Sequence, residues 1–243
     1  MWTRLVRAVF DPEADSRYLD RFGLLLLLTY AALAAQMLVN VEASYANRSQ
    51  MIGNLVAQAV ATAMLMLAIR ACGLRARWRR SLTAVALVGL VGHTLTVVLL
   101  LSGQQTSKPL ANVAPFGPLL LMTLTFLFVV YRLAQHRQVR LATLFASITA
   151  YLLIPQVFFY AFLVVNTLQT PPFFGRPASG SEFMYFSLTT VTTLGYGDPS
   201  PVTQFGQLLA TTEALIGQLY LVVVVALIVG LVASNWGARK PVA

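Results

Sequence analysis

The stretch TTVTTLGYGD, Thr189 to Asp198, interrupts long apolar runs with two glycines, a tyrosine and an aspartate, residues that a lipid-facing helix does not favour. Before it, Ser179 followed three positions later by Glu182 has the pattern of a capping box. EFMYFSLTTVT then continues for about three helical turns, roughly 17 Å at 1.5 Å per residue. A helix of that length does not cross about 30 Å of hydrocarbon. Pro171, Pro172 and Pro177 make the preceding segment an outer loop, and a long apolar run follows from Gln204 to Ser234. The pattern predicts a segment that enters a membrane, turns at mid-depth and leaves on the same side.

Non-helical backbone at that depth is tolerated only where protein buries it or where it lines water. The C-terminus of the short helix, with its partial negative charge, favours a cation there. Gly195 and Gly197 can take backbone angles closed to other residues. The carbonyls of Thr193, Leu194, Gly195 and Tyr196 can then point one way, with the Thr193 hydroxyl completing the row. Four such strands about an axis would replace the hydration shell of a potassium ion. Asp198 is expected at the outer mouth.

The composition supports a membrane setting. Of the 243 residues, 58% are hydrophobic and 10% charged, against about 45–50% apolar and about 25% charged in soluble domains. Six stretches reach the about 20 apolar residues that a span needs: Phe22–Val41, Ser49–Ile69, one within Ser81–Ser107, one between Phe116 and Tyr131, Leu141–Asn166 with a kink expected at Pro155, and Gln204–Ser234. Basic residues accumulate on cytoplasmic loops. With the N-terminus inside, only Arg48, Lys108 and Arg176 of the 17 lysines and arginines fall outside. Both termini are therefore expected in the cytoplasm, in a plasma membrane of the bacterial inner-membrane kind. The first apolar run reads as an uncleaved anchor. Trp2, Leu5, Val6 and Val9 share one face of a short interfacial helix. The net charge of +9 is spread over the ends of spans rather than gathered on one face, so nucleic acid is not an expected partner. Cys72, the one cysteine, makes no disulfide framework and no metal set, and is expected to pack.

At TLGYGD, Thr193 to Asp198, the chain resembles the potassium channel superfamily, whose selectivity filter reads T-[VIL]-G-Y-G-D. The resemblance extends over roughly Leu141 to Ser234. It implies an all-α membrane protein with six transmembrane helices, a re-entrant pore helix and a filter, assembled as a homotetramer around a potassium-selective pore. Potassium would sit at Thr193, Leu194, Gly195 and Tyr196, a permeant ion and not a cofactor. The implied organisation is a cytoplasmic amphipathic N-terminus over 1–21, a four-helix transmembrane domain over 22–134, a pore domain over 135–235 and a short tail over 236–243. Tyr185 and Phe186 fall where the family places an aromatic cuff, with Tyr185 a partner for the Tyr196 hydroxyl; ordinary packing is the alternative. Thr189 and Thr192 count as filter support. Some members carry a glutamate where Thr189 stands, which leaves open how Asp198 is held. Gly217 falls at a hinge position of some members, close packing being an equal alternative. Ala214, Gln218, Leu221 and Val225 share the face turned to the cavity.

Glu213 is a carboxylate in mid-membrane, where an acidic residue costs about 2.5–3.5 kcal/mol, so it should be neutral, partnered or wet. Thr189 or Thr190 is the expected partner. The fourth span lacks the repeated basic residues of a voltage sensor: nothing is charged before Arg132, and Arg137 and Arg140 lie beyond it. His93 reads as a core histidine, and Trp236 as an interfacial anchor. With no charged sensor helix, the chain is expected to conduct passively and not to be steeply voltage-gated. A potassium transporter subunit and a non-conducting regulatory subunit are the alternatives. No clustered His, Cys or carboxylate set suggests an enzyme.

Overall fold

The computed structural model describes residues 22–38, 48–73, 76–101, 115–135 and 141–237. The expectations for the interfacial N-terminus, for Arg137 and Arg140, and for the last residues of the tail lie outside the described residues, as do the side chains of His93, Val225 and Trp236. Among the described residues the regular structure is all helical: α1 (Phe22–Leu38), α2 (Arg48–Ala71), α3 (Ala76–Leu101), α4 (Phe116–Ala134), α5 (Leu141–Leu168), α6 (Gly180–Val191) and α7 (Gln204–Gly237). These helices follow the apolar runs to within a few residues. Among the described residues, three stretches are long and apolar enough to cross a membrane: Phe116–Ala134, Ala142–Leu168 and Gln204–Val224.

α5 is the hub. It runs unbroken through Pro155 and packs on α1, α4, α6 and α7, while α3 rests chiefly on α2. Ala146, Ala150, Leu153, Ile154, Phe159 and Phe162 of α5 are buried. Two buried polar contacts fasten α1 to it: the Gln36 amide donates to the Tyr160 hydroxyl at 3.1 Å, and the Gln156 amide to the Thr29 carbonyl at 3.0 Å. Such contacts matter in a span because a buried polar group without a partner costs on the order of 1–3 kcal/mol. α1 also lies against α6, so the short helix is backed by a helix from far up the chain. The Cys72 thiol is buried and donates to the Phe128 carbonyl at 3.1 Å, a packing contact between α2 and α4.

The opposite condition holds for α7. Most of its apolar span is exposed in a single chain; Leu208, Leu215, Leu219, Val222 and Val223 all face outward.

Candidate pore and filter

The 12 residues of α6 begin at a complete capping box. Ser179 Oγ accepts from the Glu182 amide at 3.3 Å, and Glu182 Oε2 accepts from the Ser179 amide at 2.8 Å. Glu182 Oε1 takes an ion pair from Arg176 at 2.6 Å. The Arg176 guanidinium, with the Ser179 amide behind it, holds the Glu182 carboxyl below its usual range. The acidic first turn also complements the positive end of the helix dipole.

The first half of α6 is anchored by phenylalanines from three elements. Phe162 of α5, Phe173 and Phe174 of the outer loop, and Phe183 and Phe186 of α6 meet with ring centroids 4.7 to 6.0 Å apart. These are favourable tilted and edge-to-face spacings. Asn166 Oδ1 accepts the Phe173 amide at 2.9 Å, which fixes the loop to the end of α5. Phe186 thus joins the outer-loop cluster, while Tyr185 alone of the pair meets Tyr196. Its ring lies parallel to that of Tyr196, 6.4 Å between centroids, so within one chain this contact is ring against ring.

The last four carbonyls of a helix have no partner within it, and here each finds one. Leu188 O accepts from the Thr192 amide (3.2 Å) and hydroxyl (2.7 Å), Thr189 O from the Gly195 amide (3.1 Å), and Thr190 O from the Thr193 amide (3.0 Å). Val191 O accepts from the Tyr151 hydroxyl of α5 at 3.4 Å. Four of these five bonds come from the TLGYGD segment or the residue before it, which folds the non-helical strand back on the helix end. Thr189 spends its hydroxyl on the Phe186 carbonyl at 3.0 Å, inside its own helix.

Backbone conformation alternates along the strand. Thr193, Gly195 and Gly197 have φ of 58°, 52° and 83°, whereas Leu194 and Tyr196 lie outside the left-handed region. Glycine takes such angles freely. For a β-branched threonine they are an outlier, costing about 1–3 kcal/mol and found mostly where function requires strain. Alternation of this kind turns successive peptide planes the same way, whereas an extended strand turns them oppositely. Leu194 is 56% exposed and Tyr196 68% exposed, so a single chain leaves the strand uncovered.

Gly217 of α7 is buried against the end of α6. A Cβ there would stand 2.7 Å from Val191 Cγ2 and 3.0 Å from the Val191 carbonyl oxygen. α7 is helical through this point, and the end of α6 leaves no room for a side chain at Gly217. Tyr151 stacks on Tyr220 of α7 at 6.1 Å, and the Tyr220 hydroxyl donates to the Ser147 carbonyl at 2.8 Å. Gln218 and Leu221 are exposed and Ala214 half-buried, on the open side of α7 next to the packed face of Ala210, Glu213 and Gly217.

Glu213 is fully buried, and its partner differs from the expected threonines. Ser187 reaches it, with Oγ 2.5 Å from Glu213 Oε1. Ser187 was legible only indirectly: it is the hydroxyl of α6 one helical turn before Val191, the residue that meets α7. Asn166, Tyr151 and Tyr220 carried no comparable signal.

Residues 118–234, just under half of the chain, match the family model described as Ion channel. The match takes in nearly all of α4, then α5, α6, the filter strand and most of α7. No curated protein and no solved structure matches the chain.

Proposed function

We propose that this chain, whose residues 118–234 match the family model described as Ion channel, belongs to the potassium-channel superfamily and conducts potassium passively through a tetrameric pore, with Thr193 to Gly197 as the filter and Asp198 at its outer mouth. One observation carries the reading. Left-handed backbone recurs at Thr193, Gly195 and Gly197, against the preference of a threonine, and that alternation aligns carbonyls as a row of cation ligands requires. The exposure of Leu194 and Tyr196 in one chain supports assembly of four, since one filter strand per chain closes a ring only with three others.

The remaining assignments follow from this reading. Tyr185, Thr189 and Thr192 support the filter from α6. Gln218, Leu221 and Val225 line the cavity below it, and Gly217 seats α7 against α6. The chain crosses the membrane six times with both termini in the cytoplasm. Opening is not steeply voltage-dependent: a charge crossing the whole field contributes about 2.3 kcal/mol per 100 mV, and α4 bears none before Arg132.

Purified protein in liposomes tests the function. Potassium efflux is expected at rates far above sodium efflux. Equal rates would remove the selectivity assignment, and absence of both would leave a regulatory subunit.

The cavity has its own test. With Cys72 replaced by Ala, cysteine at Gln218 is expected to react with a water-soluble thiol reagent applied to open channels, and a bulky adduct to block flux. Cysteine at Val223, five residues on and turned away, is expected to stay inert; reversed reactivity would mean that α7 is rotated about its axis.

A further inference from the structure

Ser187 stands at a junction of three helices. Its Oγ is 2.9 Å from the carbonyl oxygen of Pro155 on α5 and 2.5 Å from Glu213 Oε1 on α7, and all of these groups are buried. A serine hydroxyl has one proton to donate. With two oxygens in reach that otherwise only accept, that proton satisfies one of them. A second proton completes the chain if the carboxyl carries it: Glu213 O–H to Ser187 Oγ, and Ser187 O–H to Pro155 O. The described residues of α1, α5, α6 and α7 include no lysine or arginine, so no cation on them stands ready to pair with a carboxylate. Glu213 Oε2 has no hydrogen-bond partner among the described residues. An uncharged carboxyl accommodates a bare oxygen far better than an ion does.

We propose that Glu213 is a positioning residue for the filter, acting as a hydrogen-bond donor in a relay from α7 through Ser187 of α6 to the Pro155 carbonyl of α5. This deepens the channel reading and rests on it. The relay crosses α6 about one helical turn before Val191, where Gly217 presses from the same helix α7. Together the two contacts fix both the height and the rotation of the helix whose end carries the filter strand.

The test compares Glu213→Gln, Glu213→Ala, Ser187→Ala and the double variant Ser187→Ala/Glu213→Ala in the full-length protein. Each is measured for potassium flux, for the potassium-to-sodium flux ratio and for tetramer melting temperature. Gln has the shape of the protonated acid; its amide nitrogen donates to Ser187 while its oxygen occupies the place of Oε2. E213Q is therefore expected within about twofold of the parent in flux, with the same ion ratio. E213A and S187A are each expected to lower potassium flux about tenfold and to narrow the ion ratio, with tetramers retained. The double variant is expected to be no worse than the poorer single one, because both cut the same chain.

E213Q as damaging as E213A would overturn the donor role in favour of an ionised carboxylate. Additive losses at 187 and 213, or a fall in melting temperature with the ion ratio unchanged, would reduce the junction to independent packing. If the parent protein itself passes no potassium, the channel reading fails, and the coupling between 187 and 213 in melting temperature still decides whether the relay exists.

Discussion

Replacing Gly195 by Ala is expected to bring potassium flux to background while tetramers still form. The reason is conformational. A Cβ at Gly195 meets nothing within 4 Å, but φ there is +52°, a region that costs an L-residue roughly 1–2 kcal/mol. Thr193, two residues earlier, already bears such strain. In the proposed tetramer the penalty recurs in each of four subunits and sums to roughly 4–8 kcal/mol, enough to turn the strand to another conformation. Gly89 on α3 is the control, since a Cβ there also meets nothing and no left-handed φ is needed. G89A is expected to leave flux unchanged. Flux from liposomes, with oligomer mass by light scattering, reads both variants. Potassium flux surviving in G195A would mean that the left-handed turn at this position is not what conducts.

The second large effect is expected at Gly217, where Ala should lower potassium flux at least tenfold. Overpacking a tight contact costs about 1–3 kcal/mol, and here the contact includes backbone. The methyl of Val191 can rotate away, but the carbonyl, 3.0 Å from the new Cβ, moves only with the end of α6. That carbonyl also accepts the Tyr151 hydroxyl, so its displacement disturbs α5 as well. A partner substitution separates packing from bending. Val191→Ala removes the nearer clash and is expected to restore part of the flux to the Gly217 variant. A glycine acting as a bending point would gain nothing from space at Val191, so absence of rescue would return the hinge to favour.

Much of this site was legible because membranes leave few structural options. A capped helix too short to span, followed by Leu-Gly-Tyr-Gly-Asp, has few sterically permitted continuations, and the capping box and the apolar runs appear where their patterns lie. Pairings that depend on rotation about a helix axis were less accessible. Thr189 and Thr190 seemed within reach of Glu213, yet the rotation of α6 presents Ser187 instead, while Thr189 bonds its own helix. The family pattern groups Phe186 with Tyr185, but neighbours on a helix point about 100° apart, and one enters the outer-loop cluster while the other meets Tyr196. The sequence leaves Gly217 between bending and packing, and only the structure shows Val191 pressed against it.

The backing of α6 by α1 bears on how the protein is made. α1 is the first described helix to leave the ribosome, and α6 is the last but one. The bonds from Gln36 to Tyr160 and from Gln156 to Thr29 link residues 124 and 127 positions apart. Contacts so distant in sequence form late and slowly. Until α5 is made, the Gln36 amide of α1 lacks the Tyr160 hydroxyl to which it donates. The groove that receives α6 is complete only after that docking. Assembly thus has a built-in order, in which the earliest described helix is held in reserve as the back wall for one of the last.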